Sequence, residues 1–139
     1  MGIVIRPITG EGAKEALTLY KKEPTMFEPE YMTIEDMFRV SPYEVVRQGV
    51  RVAYFGLTHW ESDKQSVLCF VIVKEPYRRK GLFWEIVEFA KKRTPKTHAL
   101  LINASKGNAL ANFIYQKRFR YLGDDGDLWY EIKKKPPQP

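Results

Sequence analysis

Apolar and polar positions recur along this chain with two periods, and the switches between them mark its elements. Ile3, Val4, Ile5 and Ile8 read as a first strand over Ile3 to Ile8, ended by Pro7 and a Thr9-Gly10 turn. From Glu11 to Lys22, Ala13, Ala16, Leu17 and Tyr20 return at helical spacing, and Pro24 closes the helix. Thr33 with Asp36 resembles a capping box for a short helix carrying Ile34, Met37 and Phe38. Tyr43 to Arg47 and Val50 to Thr58 read as two strands around Gln48-Gly49, a tight hairpin. Glu61 to Lys64 then turns the chain into a central strand over Gln65 to Lys74, whose stretch Val67 to Val73 is an unbroken apolar run.

A helix follows from Gly81 to Arg93, with Glu85 and Glu88 early and Lys91, Lys92 and Arg93 late, as the helix dipole prefers. After Pro95 a second apolar run, His98 to Ala104, precedes another helical stretch from Asn108 to Phe119. Two apolar strands flanking one amphipathic helix form a βαβ unit, with parallel strands buried on both faces. In the last helix, at about 100° per residue, Leu110, Phe113 and Ile114 make a packing stripe with Lys117 on the same side. Asn108, Asn112 and Tyr115 fall on the opposite side, so Tyr115 is predicted to point away from the main packing face. Phe119 to Leu122 and Leu128 to Lys133 close the chain as a hairpin around Gly123 to Asp127. The prediction is an α/β (α+β) fold with a mixed central sheet in the order β-α-α-β-β-β-α-β-α-β-β.

With 139 residues, 44% hydrophobic and 29% charged, the chain suits one soluble domain over 1–135; Lys133-Lys134-Lys135 leads into Pro136-Pro137-Gln138-Pro139, a short disordered tail over 136–139. No apolar stretch reaches membrane-spanning length, and Met1 to Arg6 lacks a signal-peptide layout. The single cysteine excludes an internal disulfide and suits a reducing cytoplasm; Cys69, inside the central strand, reads as a small buried hydrophobe. With His59 and His98 as the two histidines and no cysteine cluster, a protein-bound metal is not expected. The net charge of +6 would draw nucleic acid, an acidic protein or an anionic cofactor, and composition does not choose among them. There is no repeat, no helix-turn-helix pattern and no aromatic-basic sheet signature of an RNA-binding module.

The most informative stretch joins the central strand to the helix after it. An apolar run, a turn holding Arg78, Arg79 and Lys80 with Gly81, and an amphipathic helix together read as a strand entering a helix through a phosphate-cradling loop. The first N–H groups of a helix are unpaired and carry the positive end of its dipole, so an anion satisfies them, and neighbouring cations deepen the field. This predicts a site for a pyrophosphate-bearing cofactor.

Arg78 to Phe83 resembles the Q/R-x-x-G-x-G/A signature of GNAT-type N-acyltransferases, with Phe83 in place of the final small residue. Asn108 to Phe119 resembles the family's second motif, N-x-x-A-x-x-x-Y-x-x-x-G-F: Asn108, Ala111, Tyr115 and Phe119 match, and Arg118 replaces the glycine. The resemblance covers nearly the whole chain in topology and residues 67–119 in motifs. It implies acetyl-CoA as co-substrate, lying between the two parallel strands where their ends splay. Main-chain groups near Val71 and Val73 would pair with the pantetheine arm, and amides from Arg79 to Phe83 would hold the pyrophosphate. Arg78, Arg79, Lys80, Gly81, Leu82, Phe83 and Asn108 are therefore the expected cofactor contacts.

The resemblance also implies direct attack of an amine on the thioester, with Tyr115 protonating the departing thiolate. For the base, Gln65 to Val73 offers no carboxylate, so Glu61 and His59, which precede that strand with Asp63, are nominated. The acceptor would be an amine-bearing small molecule or protein, with no membrane partner, nucleic acid disfavoured and a homodimer allowed. Met26, Phe27, Tyr31 and Met32, in the loop Pro24 to Met32, would make an apolar lid or pack between the first two helices. Two other readings stand beside the enzyme: a GNAT-like domain that has lost catalysis, as the bulk of Phe83 and Arg118 suggests, and a basic nucleic-acid-binding module.

Overall fold

A computed structural model describes residues 2–22 and 34–134. The expected order is present: β1 (Val4–Pro7), α1 (Gly10–Lys22), α2 (Ile34–Arg39), β2 (Pro42–Arg47), β3 (Val50–Trp60), β4 (Gln65–Val73), α3 (Leu82–Arg93), β5 (Ala99–Ala104), α4 (Ala109–Arg118), β6 (Arg120–Asp125) and β7 (Asp127–Ile132). A single 3-10 turn, Glu75–Tyr77, joins β4 to the loop before α3. Thr33 of the expected capping box, the expected lid 24–32 and the tail 136–139 lie outside the described residues, as do the side chains of Ile34, Asp36 and Met37.

The strands form one sheet in the order β1-β2-β3-β4-β5-β7-β6. Its pairs are antiparallel except β4 with β5, which is parallel, as the βαβ reading requires. Pro7 lies inside β1 rather than ending it; β1 is an edge strand, where a missing N–H costs no ladder bond. Gln48 and Gly49 both take positive φ, 52° and 78°, the geometry of the tight hairpin joining β2 to β3. The terminal hairpin is tighter than expected. Asp125 pairs with Asp127 about Gly126 at φ 80°, so the predicted loop residues Gly123 to Asp125 belong to β6.

The two faces of the sheet bury different cores. Helices α3 and α4 cover one, where Leu82, Ile86, Val87, Ala90 and Tyr115 meet Phe55, Leu57, Leu68, Leu100, Ile102, Tyr130 and Ile132. Helix α1 covers part of the other, with Ala13, Ala16 and Tyr20 against Tyr54, Phe70 and Ile72. Glu44, fully buried in β2, anchors the start of α1: it accepts from the Thr9 backbone N–H at 3.0 Å and hydroxyl at 2.9 Å, and pairs with Arg6 at 2.8 Å and Arg51 at 3.3 Å.

Candidate active site

Two local departures from regularity open a gap in the middle of the sheet. The parallel β4–β5 pairing runs from Gln65–Ala99 to Leu68–Ile102 and stops there, although β4 continues to Val73 and β5 to Ala104. At the same height β4 bulges. Cys69 pairs with Gly56 and Ile72 with Tyr54, leaving Phe70 and Val71 opposite Phe55, and Phe70 takes φ 34°. A bulge bends its strand and re-aims the groups beyond it, which turns β4 away from β5. Gly56 is required across from it: a Cβ there would lie 2.6 Å from Phe70 Cε1, 2.9 Å from Cys69 Sγ and 2.9 Å from the Val40 carbonyl.

The open edge of β4 carries the main chain of Val71 and Val73. Lys74 donates its backbone N–H to Val52 of β3, so by strand alternation residues 71 and 73 turn theirs toward the gap. Arg78 folds back over this edge, its Nε donating to the Val73 carbonyl at 2.8 Å. Beyond it Arg79 (φ 63°) and Gly81 (φ 82°) are both left-handed, and Gly81 caps α3 with no side-chain hydrogen bond. The amides of Leu82, Phe83 and Trp84 open the helix without intrahelical acceptors. Arg79, Lys80 and Gly81 are exposed beside them.

Helix α4 packs on a face rotated from the sequence expectation. Of the predicted packing stripe, Leu110 and Phe113 are 68% and 57% exposed and only Ile114 packs on the core, whereas Asn112 and Tyr115 are buried. The helix carries apolar residues on both sides, so periodicity could not choose, and polar satisfaction decides. Asn112 Nδ2 donates to the Ser105 and Asn108 carbonyls at 2.9 and 3.0 Å, while its Oδ1 accepts from the Tyr130 hydroxyl at 2.8 Å. Tyr115 follows it inward, into an aromatic nest: Phe83 stacks on it at 5.8 Å and 17°, with Phe119 at 5.6 Å and Tyr130 at 5.5 Å. Burial, then the neighbouring Tyr130, push the Tyr115 phenol well above the usual tyrosine range.

The remaining motif residues have structural partners. Asn108 caps α4, its Oδ1 accepting from the Ala111 N–H at 3.1 Å. Arg118 lies over the Trp84 ring at 4.8 Å, and Phe83 stacks on Tyr115 at 5.8 Å, so both bulky departures from the family pattern make α3–α4 contacts. Burial pushes the Cys69 thiol up to about 12, so it stays protonated at neutral pH.

His59 and Glu61 are not brought to this gap. They lie at the opposite end of β4, roughly 15 Å from the bulge at about 3.3 Å per residue. There they join a chain that the sequence reading missed: His59 Nδ1 to Ser66 Oγ at 2.7 Å, Ser66 Oγ to His98 Nδ1 at 3.0 Å, and His98 Nε2 to Glu61 Oε2 at 3.2 Å. The Ser66–His98–Glu61 segment has the composition of a hydrolytic triad, but Ser66 is fully buried and no substrate reaches its hydroxyl. Among the described residues, no group of three His, Cys, Asp or Glu side chains is placed to hold a metal, and no helix is long and apolar enough to cross a membrane.

A mixed sheet whose parallel strand pair parts beside a bulge, with a helix starting at the open end, has close counterparts among solved structures. A GNAT-family acetyltransferase from Staphylococcus aureus Mu50 matches with a TM-score of 0.75 at 12% identity, over 96% of this chain and 100% of that one. A spermidine N-acetyltransferase chimera of Vibrio cholerae and hSSAT matches at 0.74 and 13%, over 96% of each chain. An acetyltransferase from Bacillus subtilis solved in complex with CoA matches at 0.70 and 16%, over 94% of this chain and 96% of that one. No protein-family model and no curated protein matches the sequence. At these identities the likeness is one of fold: the chain has the GNAT fold along nearly its whole length.

Proposed function

We propose that the protein is an N-acetyltransferase that moves an acetyl group from acetyl-CoA to a primary amine. One observation carries the reading: the β4–β5 pair opens directly beside the uncapped, cation-flanked start of α3. The amides of Arg79 to Phe83, with the Arg79 and Lys80 side chains, suit a pyrophosphate, and the backbone N–H groups of Val71 and Val73 suit the carbonyls of a pantetheine arm. The neutral acceptor nitrogen attacks the thioester carbon, a C–N bond replaces the C–S bond, the nitrogen gives up one proton to solvent water, and the departing thiolate takes up a proton. Tyr115 is the donor in this scheme, since burial keeps its phenol protonated at every neutral pH. Rate comes chiefly from holding amine and thioester together in the gap. His59 and Glu61 have no part in the transfer, because they lie at the other end of β4.

The test is thiol release from acetyl-CoA in the presence of an amine panel. Tyr115→Phe is expected to lower kcat by about 100-fold while leaving acetyl-CoA affinity unchanged; an equal loss in both would make the tyrosine a binding residue.

The Phe83–Tyr115 stack favours a second reading, a GNAT-fold binding protein without turnover, because Phe83 covers the phenol from the side of the cofactor loop. Phe83→Ala separates the two. A variant that gains cofactor binding or turnover absent from the wild type supports the second reading, whereas a wild type already active leaves Phe83 a packing residue.

A further inference from the structure

Half of the strongly exposed large apolar side chains among the described residues stand on two adjacent elements: Leu110 and Phe113 on α4, and Tyr121 (53% exposed) and Leu122 (42%) on β6. Strand β6 ends the sheet, so its outer edge is open. Helix α4 lies along it. The turn before α4 is tied to the last part of β6 by Lys106 and Asp124 at 2.9 Å, and the helix end runs into Arg120. At about 100° per residue, Asn112 and Tyr115 turn to the sheet and Arg118 turns to Trp84 of α3, which leaves Phe113 on the flank away from α3, above the open edge. Lys117 lies over its ring at 4.2 Å.

The charges along this edge are segregated, with Arg120 at one end and Asp124 and Asp125 at the other. A parallel neighbour of the same sequence would set like charges side by side, whereas an antiparallel one sets unlike charges together. The β6 bulge leaves Leu122 as the extra residue between Tyr121 and Gly123, so a two-fold axis through Gly123 puts Arg120 opposite Asp125 of a second copy and Tyr121 opposite its Asp124. The faces agree. Arg120 and Asp125 pair within the hairpin with Glu131 and Asp127, on the Trp129 face, and Tyr121 and Asp124 pair with Tyr130 and Leu128, on the helix face. Asp125 is exposed and has no ion pair among the described residues, and the Arg120 side chain is 64% exposed beside Glu131 at 3.1 Å. An axis normal to the sheet keeps both copies of α4 on one face. Because α4 packs on β6 and β7 alike, it lies about half a strand interval inboard of β6, and the two helices would run about 10 Å apart, at the upper end of helix packing distances, with Leu110 and Phe113 of each at the seam.

We infer that this face binds a second copy of the chain, β6 to β6 in antiparallel register about Gly123, joining two seven-stranded sheets into one. The contact uses the same patch on both copies and so closes at the dimer. It lies two strands away from the β4–β5 gap and stands apart from the acetyltransferase reading. The test is sedimentation equilibrium of the full chain across the micromolar range, with Phe113→Lys, Arg120→Asp and Asp125→Arg. Wild type should be a micromolar dimer, and each variant should weaken it at least 10-fold with melting curves close to wild type. Arg120→Asp mixed with Asp125→Arg faces unlike charges at both contacts and should recover the dimer, which no folding defect would imitate. A wild type that stays monomeric, variants that associate as well as wild type, or charge variants that do not recover on mixing would each overturn the inference. Acetyl-CoA binding, measured beside it, should be the same in all variants, so loss of the dimer and loss of the cofactor site are told apart.

Discussion

Glu44 is fully buried with two cations and a threonine around its carboxylate. Burial alone would raise its pKa, but the Thr9 N–H, the Arg6 side chain, the Thr9 hydroxyl and Arg51 together outweigh that and hold it below the usual glutamate value. A depressed carboxylate pKa contributes stability that is present above the unfolded value and lost as pH falls through the folded one. Glu44→Ala should therefore cost about 3 kcal/mol or more at pH 7, because Arg6, Arg51 and Thr9 lose a shared partner. It should also flatten the acid limb of the melting curve below about pH 4.3. Urea denaturation at pH 7 and thermal melts from pH 6 to 3 check both; a variant as stable as wild type would show the cluster to be decorative. Gly56→Ala tests the bulge in the same way. A new Cβ meets a ring, a thiol and a backbone carbonyl within 3 Å, and the carbonyl cannot step aside as a flexible side chain would. A loss of about 1–3 kcal/mol is expected in denaturant melts.

At the scale of elements, the β3–β4 junction carries its own pH dependence. Burial, then the charge of His98, lower the His59 pKa despite the opposing pull of Glu61. A lowered histidine pKa means the unfolded chain binds the proton more readily. Stability is then full above the unfolded value, about 6.5, and declines as pH falls from there toward the folded value. His59→Asn keeps a donor near Ser66 without the titration, so the fall in Tm between pH 7 and 5 should shrink; an unchanged slope would assign that fall to other groups. The β-α-α-β-β-β-α-β-α-β-β order was legible because long apolar runs and amphipathic helices with charge-biased ends carry their own signals, as at Val67 to Val73 and Gly81 to Arg93. The facing of α4 was not. Leu110 and Phe113 outweigh Asn112 on any hydropathy count, and the inward turn depends on two carbonyls and a tyrosine hydroxyl that only the tertiary structure supplies. The turn into α3 could be read from Arg78 to Gly81, since a glycine marks it locally. The bulge at Phe70 could not, because nothing in a uniform apolar run distinguishes its middle residue. The Ser66–His98 bond likewise joins residues 32 apart in sequence, beyond the reach of any periodic pattern.

For the whole molecule, the proposed acyl transfer depends on one anion held at one helix start, because the gap, the open strand edge and Tyr115 would serve it only if the pyrophosphate docks at α3. Gly81 allows a clean test. Nothing lies within 4 Å of a Cβ built there, while its φ of 82° strains any side chain. Asn and Asp share the tolerance for that conformation, so Gly81→Asn carries the backbone cost and Gly81→Asp adds the charge alone. The measurement is acetyl-CoA binding by calorimetry to wild type and to both variants. Micromolar binding by wild type, nearly kept by Gly81→Asn and reduced at least 10-fold further by Gly81→Asp, is the predicted result. No heat of binding to folded wild type, or equal binding by the two variants, would contradict the cofactor site and the acetyltransferase built on it.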